Sequence, residues 1–392
     1  MTTPRILSLA VAAALIAAAC GDDESSDDAS ATTEPAATAA TTGDSATSTP
    51  GSTLATTAGT DADNGTAGPA GSVTLVTYDS FPAADTSLND ALEAFTEQSG
   101  IDVEILVAGD TGTMVSKAAL TAGNPEGDVM WGVDNTFLSR ALEAEIFEPY
   151  QTPVVLPDEL TSIAPDGEVT PVDFGDVCLN YDIGWFADNG IEPPTSLDDL
   201  TDPAYADLLV VQNPATSSPG FAFFLATVDE YGDDGWSDYW QALADNGVAV
   251  VDSWTDAYYS DFTWAGGGDR PIVVSYGSSP PAEVLFADPP VDTAPTGVVE
   301  STCFRQVEFV GVLAGTDAPD EARALVDFLV SDAFQSELAL NLFVYPASPT
   351  VELPQEFVDY AVVAENPRTV DPSTIESSRE EWIDGWTELV LG

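Results

Sequence analysis

The stretch VTLVTYDSFP at residues 73–82 begins as a short apolar strand and ends in a group of aromatic and polar side chains. Residues 85–100, DTSLNDALEAFTEQSG, then repeat apolar side chains at helical spacing until Gly100, which can end the helix in a left-handed conformation. Residues 101–109, IDVEILVAG, alternate apolar and polar side chains as a half-buried strand does. A strand, a helix and a strand in this order predict a β-α-β unit.

The same alternation of strands and helices continues along the rest of the chain. A second block at 174–304 repeats it, and a strand at 306–314 and further helices follow that block. We therefore expect an α/β fold of two lobes with interwoven connectivity: lobe 1 is formed by residues 72–173 and 305–392, and lobe 2 by residues 174–304. An α/β enzyme would share these features, so the fold alone leaves the function open.

The N-terminal residues differ in character from the rest. Residues 1–20 carry one Arg, an apolar run and a Cys that follows three alanines, which predicts a signal peptide with a lipoprotein-type cleavage site. A transmembrane helix would need a longer apolar run. Residues 21–71 contain no aromatic side chain and predict a disordered tether. We expect an extracytoplasmic protein whose folded part begins near Ser72 and is anchored to the cell membrane by a lipidated Cys20.

The charge balance excludes several classes of partner. The chain has 67 acidic and 8 basic residues, no histidine and a net charge of −59. Such a polyanion repels nucleic acid and anionic lipid headgroups, which leaves the lipid anchor as its only expected membrane contact. Most of these carboxylates belong on a solvated surface, which a saline habitat would also favour, and an acidic cleft would concentrate a cationic ligand.

The cysteine content bears on redox state and on metals. Apart from Cys20, the chain has only Cys178 and Cys303, and in an exported protein such a pair favours a disulfide over two free thiols. The sequence contains no cysteine or histidine cluster of the kind that binds zinc, copper or haem. We therefore expect no metal ligand and no cofactor.

Ligands of open α/β sheets bind at the carboxyl ends of strands. Five strand ends share Tyr or Trp, Asp, and Ser beside Gly or Pro; they are TYDSF at 77–81, WGVDN at 131–135, VQNPATSSPG at 211–220, DSWTDAYYS at 252–260 and VSYGSSP at 274–280. Aromatic faces stack on flat rings and attract cations, carboxylates pair with cationic or amidine-like groups, and a Ser-rich turn that opens a helix donates N–H groups to anions. These strand ends predict a pocket for a flat cation rather than a catalytic site.

Short motifs across residues 73–390 resemble the thiamine-binding receptors of thiamine ABC importers. In order, the motifs are VTYDSF, GVDN, VDFGDVCLNYD, NPATSSPG, SWTDAYYS, VVSYGSSPPAE, RQVEFVGVLAG and LFVYPASP. The resemblance implies a two-lobed fold of the type II periplasmic-binding-protein class with a ligand cleft between the lobes. It implies a monomeric receptor that is not an enzyme, binds thiamine or its phosphates, and delivers its ligand to the permease and ATPase subunits of an importer.

The resemblance also assigns ligand-binding residues. They are Tyr78, Asp79, Asp134, Asn135, Ser217, Ser218, Gly220, Trp254, Tyr258, Tyr276, Ser279, Phe343 and Tyr345. The Ser/Gly turn among them faces the hydroxyethyl or phosphate end of the ligand in the family. The family commonly has Trp-x-Tyr-Pro where this chain has Phe343 and Tyr345, which puts one stacking partner in doubt.

Each assignment has a structural alternative. Tyr78 could be a buried aromatic residue at a strand end, and Asp134 could only cap the helix that follows it. The turn at 217–220 could be no more than a helix N-cap, although an N-cap is also an anion site. Trp254 and Tyr258 share one helical face, and such pairs usually belong to a core.

Two other functions stay open from the sequence. The adjacent Tyr258 and Tyr259 are similar to the twin tyrosines of ferric-ion receptors, and acidic strand ends also suit a polyamine. Thiamine-degrading transferases resemble the same fold and use a cysteine nucleophile, so Cys178 is a candidate nucleophile unless it is paired with Cys303. The resemblance makes the two crossings between lobes neighbouring strands, where a Cys178–Cys303 disulfide would staple the hinge.

Overall fold

The computed structural model describes residues 71–392; the predicted signal peptide, Cys20 and the predicted tether up to residue 70 lie outside the described residues. The strands are β1 (Gly71–Thr77), β2 (Ile101–Val107), β3 (Val129–Asp134), β4 (Phe147–Glu148), β5 (Thr170–Asp182), β6 (Leu209–Gln212), β7 (Ala249–Val251), β8 (Ile272–Tyr276), β9 (Thr296–Leu313) and β10 (Tyr345–Pro346). The helices are α1 (Ser87–Ser99), α2 (Thr111–Leu120), α3 (Leu138–Glu143), α4 (Asp158–Thr161), α5 (Ile183–Asn189), α6 (Ser218–Tyr231), α7 (Trp236–Asp245), α8 (Trp254–Asp256), α9 (Pro280–Leu285), α10 (Pro319–Leu329), α11 (Asp332–Gln335), α12 (Leu338–Asn341), α13 (Gln355–Tyr360) and α14 (Pro372–Val390). Two 3-10 turns, Asp198–Thr201 and Pro203–Tyr205, and a π-helical turn, Ala257–Asp261, complete the elements.

The β-α-β unit predicted from the opening stretch is confirmed. Strand β1 begins at Gly71, one residue before the expected start, and pairs in parallel with both β2 and β3. The side chain of Thr86 caps the start of α1 and forms a capping box with Asn89. Gly100 ends the helix with φ of 74°, a left-handed conformation that favours glycine.

The strands form one mixed sheet in the order β2-β1-β3-β9-β5-β8-β6-β7, with β4 and β10 paired to β9 and β5. Strands β5 and β9 are 13 and 18 residues long and run antiparallel at its centre. The C-terminal half of β9 pairs with β3, whereas the C-terminal half of β5 pairs with β8. The fold is therefore a two-lobed α/β fold whose lobes share two long strands; the residue boundaries given above for the lobes stay a prediction.

Strand β9 differs from its sequence-based expectation. A strand was expected at 306–314, but β9 begins at Thr296. The additional residues include exposed Glu300 and Ser301, and so they lack a continuous apolar pattern. They form a strand because β9 continues along β5 from one lobe into the other.

Large aromatic side chains of the helices fill the core beside the sheet. Residues 218–228 of α6 are all buried. The indole ring centroids of Trp240 on α7 and Trp386 on α14 lie 5.4 Å apart. On α14, Trp382 and Trp386 are buried, whereas Leu389 and Val390 near its end are only half-buried. Among the described residues, no helix combines the length and hydropathy that a membrane span requires.

The two cysteines lie where β5 and β9 pass between the lobes. Cys178 and Cys303 are joined by a disulfide and are both buried, and the chain at Ala364 packs over them. Beside them, the Arg305 guanidinium donates to the Asp176 carboxylate at 2.5 Å, and the backbone N–H of Ala364 donates to the same carboxylate at 2.8 Å. A covalent bond and a partly buried ion pair therefore connect the two crossing strands.

Candidate ligand-binding site

A cavity of about 390 Å³ lies between residues of the two predicted lobes. Eight of the residues assigned from sequence line it; they are Tyr78, Asp79, Ser218, Trp254, Tyr258, Tyr276, Ser279 and Phe343. The sequence-based assignment missed other lining residues, of which the most informative chemically are Asp110, Thr255, Tyr259, Phe286 and Glu308.

One wall of the cavity is aromatic and belongs to the predicted lobe 2. The rings of Trp254 and Tyr258 stack with centroids 4.9 Å apart and an interplanar angle of 17°. The Trp254 indole N–H donates to the Ser275 hydroxyl at 3.0 Å, and the Tyr258 hydroxyl donates to Glu283 Oε1 at 2.8 Å. These hydrogen bonds fix both ring planes. Tyr258 is 1% exposed, so it supports the wall, while Trp254 is the more open of the two rings.

Two further tyrosines lie on the sheet, and both pack against glycines. Gly132 has φ of +115°, and a Cβ at this position would overlap the ring of Tyr78. A Cβ on Gly175 would lie 3.0 Å from Cδ1 of Tyr276. Glycine at these two positions therefore lets the rings lie close to the strands and leaves space above them for a ligand.

Three hydrogen bonds join the predicted lobes at the edge of the cavity. The Thr255 hydroxyl donates to Asp79 Oδ1 at 3.1 Å, and the Trp254 backbone N–H donates to Asp110 Oδ2 at 3.0 Å. The Gly112 N–H donates to the carbonyl of Thr216 at 2.8 Å. The two sides of the cleft are therefore in direct contact in this structure.

Asp110 is a buried carboxyl group in this contact. It also caps α2, since its Oδ1 accepts from the Thr111 N–H at 2.6 Å. Burial raises its pKa to about 6, and the negative charge of Asp79 acts in the same direction, whereas the hydrogen bond from Trp254 opposes the shift. Burial likewise raises the pKa of Asp79.

The floor of the cavity contains the acidic side chain of Glu308, which is paired with Asp173, a buried residue that does not itself line the cavity. Glu308 on β9 and Asp173 on β5 lie directly opposite each other in the antiparallel ladder, and Glu308 is 6% and Asp173 0% exposed. The Trp131 indole N–H donates to Asp173 Oδ2 at 3.1 Å, but Asp173 Oδ1 and Glu308 Oε2 have no hydrogen-bond partner among the described residues. Burial raises the pKa of Asp173 to about 8, and burial together with the Asp173 charge raises the pKa of Glu308 well above its ordinary value.

Two assigned residues at the end of β3 do not line the cavity. The carboxylate of Asp134 accepts hydrogen bonds from the Thr136 N–H and hydroxyl and from the Gln306 side chain. Asn135 is tied to β9, because its N–H donates to the Val307 carbonyl and its Oδ1 accepts from the Val307 N–H. Both side chains are therefore occupied within the protein. Asp134 caps the turn that precedes α3 and not the helix itself, which begins at Leu138 without a side-chain cap.

Three other assigned residues do not line the cavity. Ser217 precedes α6 and is completely buried. Gly220 allows α6 to approach β6, since a Cβ there would come within 2.5 Å of the Gln212 carbonyl oxygen. Tyr345 stacks on Phe174 at 5.3 Å, within a small core cluster.

Phe343, at the position where the family commonly has Trp, does line the cavity. Its φ of 55° is in the left-handed region, and its ring meets the ring of Phe286 edge to face at 5.9 Å. Phe286 is 74% exposed and comes from lobe 2. The two rings therefore face each other across the cleft at the cavity.

The fold and the cavity define a solute receptor: two lobes joined by long strands, with a polar and aromatic cavity between them. Residues 125–367 match the model of a family described as bacterial extracellular solute-binding protein, and the chain belongs to this family. The chain is accordingly an extracytoplasmic binding protein for a small molecule, and not an enzyme.

Individual relatives are more specific. The thiamine-binding periplasmic protein of Escherichia coli (strain K12) is 27% identical over 325 residues, which is 81% of this chain and 93% of that protein. A solved periplasmic thiamin binding protein has a TM-score of 0.71 and 25% identity and covers 81% of this chain and 96% of its own. A periplasmic binding protein from Actinobacillus pleuropneumoniae, solved with fructose-6-phosphate bound, has a TM-score of 0.69 and 18% identity, covers 82% of this chain and 99% of its own, and bears on the fold alone.

Proposed function

We propose that this chain binds thiamine and delivers it to the membrane subunits of an ABC importer. The observation that carries the proposal is the stacked pair Trp254 and Tyr258 on one side of a cavity that also contains Asp110 and Glu308. Thiamine has a flat aminopyrimidine ring and a permanently cationic thiazolium ring. The first suits stacking and hydrogen bonding to a carboxyl group, and the second suits an aromatic and acidic surface.

The comparisons support this choice of ligand, because sequence relatives that are 24–27% identical over 80–81% of the chain are named for binding thiamine. We further propose that the receptor acts as a monomer and that a lipid on Cys20 holds it at the cell membrane. The residues up to 70 would then serve as a tether that lets the folded part reach the permease.

Ferric ion is a weaker candidate. Among the described residues, no group of three or more His, Cys, Asp or Glu side chains is placed to hold a metal ion. Iron ligation by tyrosine requires a phenolate, but burial and the charge of Glu283 raise the pKa of Tyr258 well above its ordinary value. The Tyr258 hydroxyl is already used as a donor to Glu283.

A transferase reaction at Cys178 is opposed by the structure. The thiol would have to be free, exposed and ionised to attack a thiamine carbon. Cys178 is instead bonded to Cys303, is 0% exposed and does not line the cavity. The alternative of a thiamine-degrading enzyme therefore has no nucleophile at this position.

Calorimetric titration of the receptor with thiamine, spermidine and ferric citrate tests the proposal. We expect saturable binding of thiamine with one site per chain and much weaker binding of spermidine, which has charge but no ring to stack. Binding of spermidine or ferric citrate with no response to thiamine would reject the proposed ligand.

A further inference from the structure

The ionisable side chains that line the cavity are carboxyl and phenol groups. Three of them, Asp79, Asp110 and Glu308, are acidic, and the lining contains no Lys or Arg. A thiamine phosphate carries about −1.5 to −2 charges on its ester group at neutral pH. A phosphate group inside this cavity would therefore meet carboxyl groups without a basic side chain to pair with it.

The serine side chain at the start of α6 is already used within the protein. At the start of α6, the Ser218 hydroxyl accepts from the Gln306 amide at 2.7 Å and hydrogen bonds to the buried Asp134 carboxylate. The next residue, Pro219, has no N–H to donate. The Ser218 hydroxyl is therefore committed to side chains of the chain itself, and a ligand phosphate at this helix start would lie near a buried carboxylate.

The acidic pair on the floor of the cavity adds to this preference. Glu308 and Asp173 face each other on neighbouring strands, and each has a buried oxygen with no other hydrogen-bond partner among the described residues. Two carboxyl groups so close cannot both be ionised at low cost, so the pair retains a proton in the empty cavity at neutral pH. A cationic ligand stabilises the ionised pair, whereas an anionic ligand opposes its ionisation.

We propose that Asp110 and the Asp173–Glu308 pair make the cavity selective for cationic, unphosphorylated thiamine over thiamine monophosphate and thiamine diphosphate. This inference rests on the proposed function. It names Glu308 as a specificity-determining residue, although Glu308 lies within a strand and not at a strand end.

The test is a titration of the full chain at pH 8 with thiamine, thiamine monophosphate and thiamine diphosphate. We expect the monophosphate to bind about ten-fold or more weakly than thiamine, and the diphosphate more weakly still, because like charges repel strongly in a partly desolvated cavity. Equal or tighter binding of the monophosphate overturns the inference and leaves thiamine as the ligand. Failure of thiamine itself to bind rejects the proposed function and this inference with it.

Variants separate the role of the cavity from the overall charge of the protein. Asp110→Asn keeps a good helix cap and Glu308→Gln keeps the side-chain shape, and we expect each to reduce the ratio of thiamine to monophosphate affinity several-fold. Glu97→Gln removes one charge from the exposed surface of α1 and is the matched control, with an unchanged ratio. Thermal unfolding identifies any variant that fails to fold. If one of the two cavity variants fails, the affinity ratio of the other one tests the inference. An unchanged ratio in a folded Asp110→Asn or Glu308→Gln protein contradicts the assigned role.

Discussion

The cavity has two unlike sides, an aromatic wall in lobe 2 and an acidic floor on the sheet. The wall comes from consecutive turns of one short helical segment, so its rings are placed by local geometry and by two hydrogen bonds. The floor comes from β9 and β5, which bring Glu308 and Asp173 together across 135 positions of sequence. The wall would therefore bind any ligand with a flat ring, whereas the floor would favour ligands of one charge.

Removal of the open ring of the wall should have the largest effect. Trp254→Ala deletes a stacking surface and a cation–π partner, and we expect thiamine affinity to fall about 100-fold, since loss of a buried aromatic contact of this kind costs about 2–3 kcal/mol. Calorimetry measures the change. The control is Trp185→Ala on α5, which does not line the cavity; an equal loss of affinity in this control would contradict a local role for Trp254.

Tyr78 tests whether the sheet side also contributes a ring surface. We expect Tyr78→Ala to weaken thiamine binding about ten-fold, because one face of the ligand loses its contact. Tyr78→Phe keeps the ring and should bind nearly as the unchanged protein does. Unchanged affinity in the alanine variant would remove the stretch at 73–82 from the site.

The acidic side chains in and beside the cavity predict that thiamine affinity depends on pH. The pKa of Asp110 is raised to about 6 and that of Asp173 to about 8, so these groups lose protons at higher pH than exposed carboxyl groups do. Negative charge in the cavity increases as the pH rises through these values, and we expect affinity for a cation to increase roughly ten-fold between pH 5 and pH 8.5.

Calorimetry in buffers of different ionisation enthalpy should detect proton release on binding. The groups that face Glu308 are Tyr78 after β1, Asp110 before α2, Asp134 on β3, Asp173 on β5 and Tyr276 on β8. Asp110→Asn should remove the part of the pH dependence near pH 6 and leave the part near pH 8. A flat profile in the unchanged protein would show that the floor carries no titrating charge near the ligand.

The smallest effect is expected at the contact that joins wall and floor. Thr255→Val removes the hydroxyl that donates to Asp79, a hydrogen bond at the solvent-exposed edge of the cleft. We expect thiamine affinity to fall only about two- to three-fold, because a net hydrogen bond contributes about 1 kcal/mol or less at such a position. Thr195→Val is the control, because Thr195 does not line the cavity and its hydroxyl likewise donates to an aspartate, Asp199. A loss as large as that of Trp254→Ala would mean that cleft closure, and not stacking, dominates binding.

The wall and part of the floor follow from the sequence for different reasons. Trp254 and Tyr258 are four residues apart, so helical geometry alone places them together. Asp110 comes three residues after the end of β2, and the same strand-end rule that identified Tyr78 would have found it. Glu308 gives no such signal, because it lies within a strand. Its role depends on the pairing with Asp173 on β5, which the sequence does not show.

The strand-end rule also selects residues that serve the fold. Asp134 and Asn135 follow β3 as a ligand site would require, yet their side chains satisfy nearby backbone groups and β9. A short polar side chain at a strand end can bind a ligand or bond to the backbone beside it. The sequence does not tell which hydrogen-bond donors lie within its reach. The length of a strand is equally hard to predict. The extension of β9 to Thr296 depends on its neighbour β5 and not on the composition of β9 itself.

The hydrogen bond from the Trp254 backbone to Asp110 has a consequence for ligand release. The residue that donates this bond from lobe 2 is also the residue whose ring stacks in the wall. When the lobes meet, the ring is brought to the ligand and the bond forms in the same movement. An importer that pulls the lobes apart would therefore undo both together, and unloading would need no competing molecule to displace the ligand.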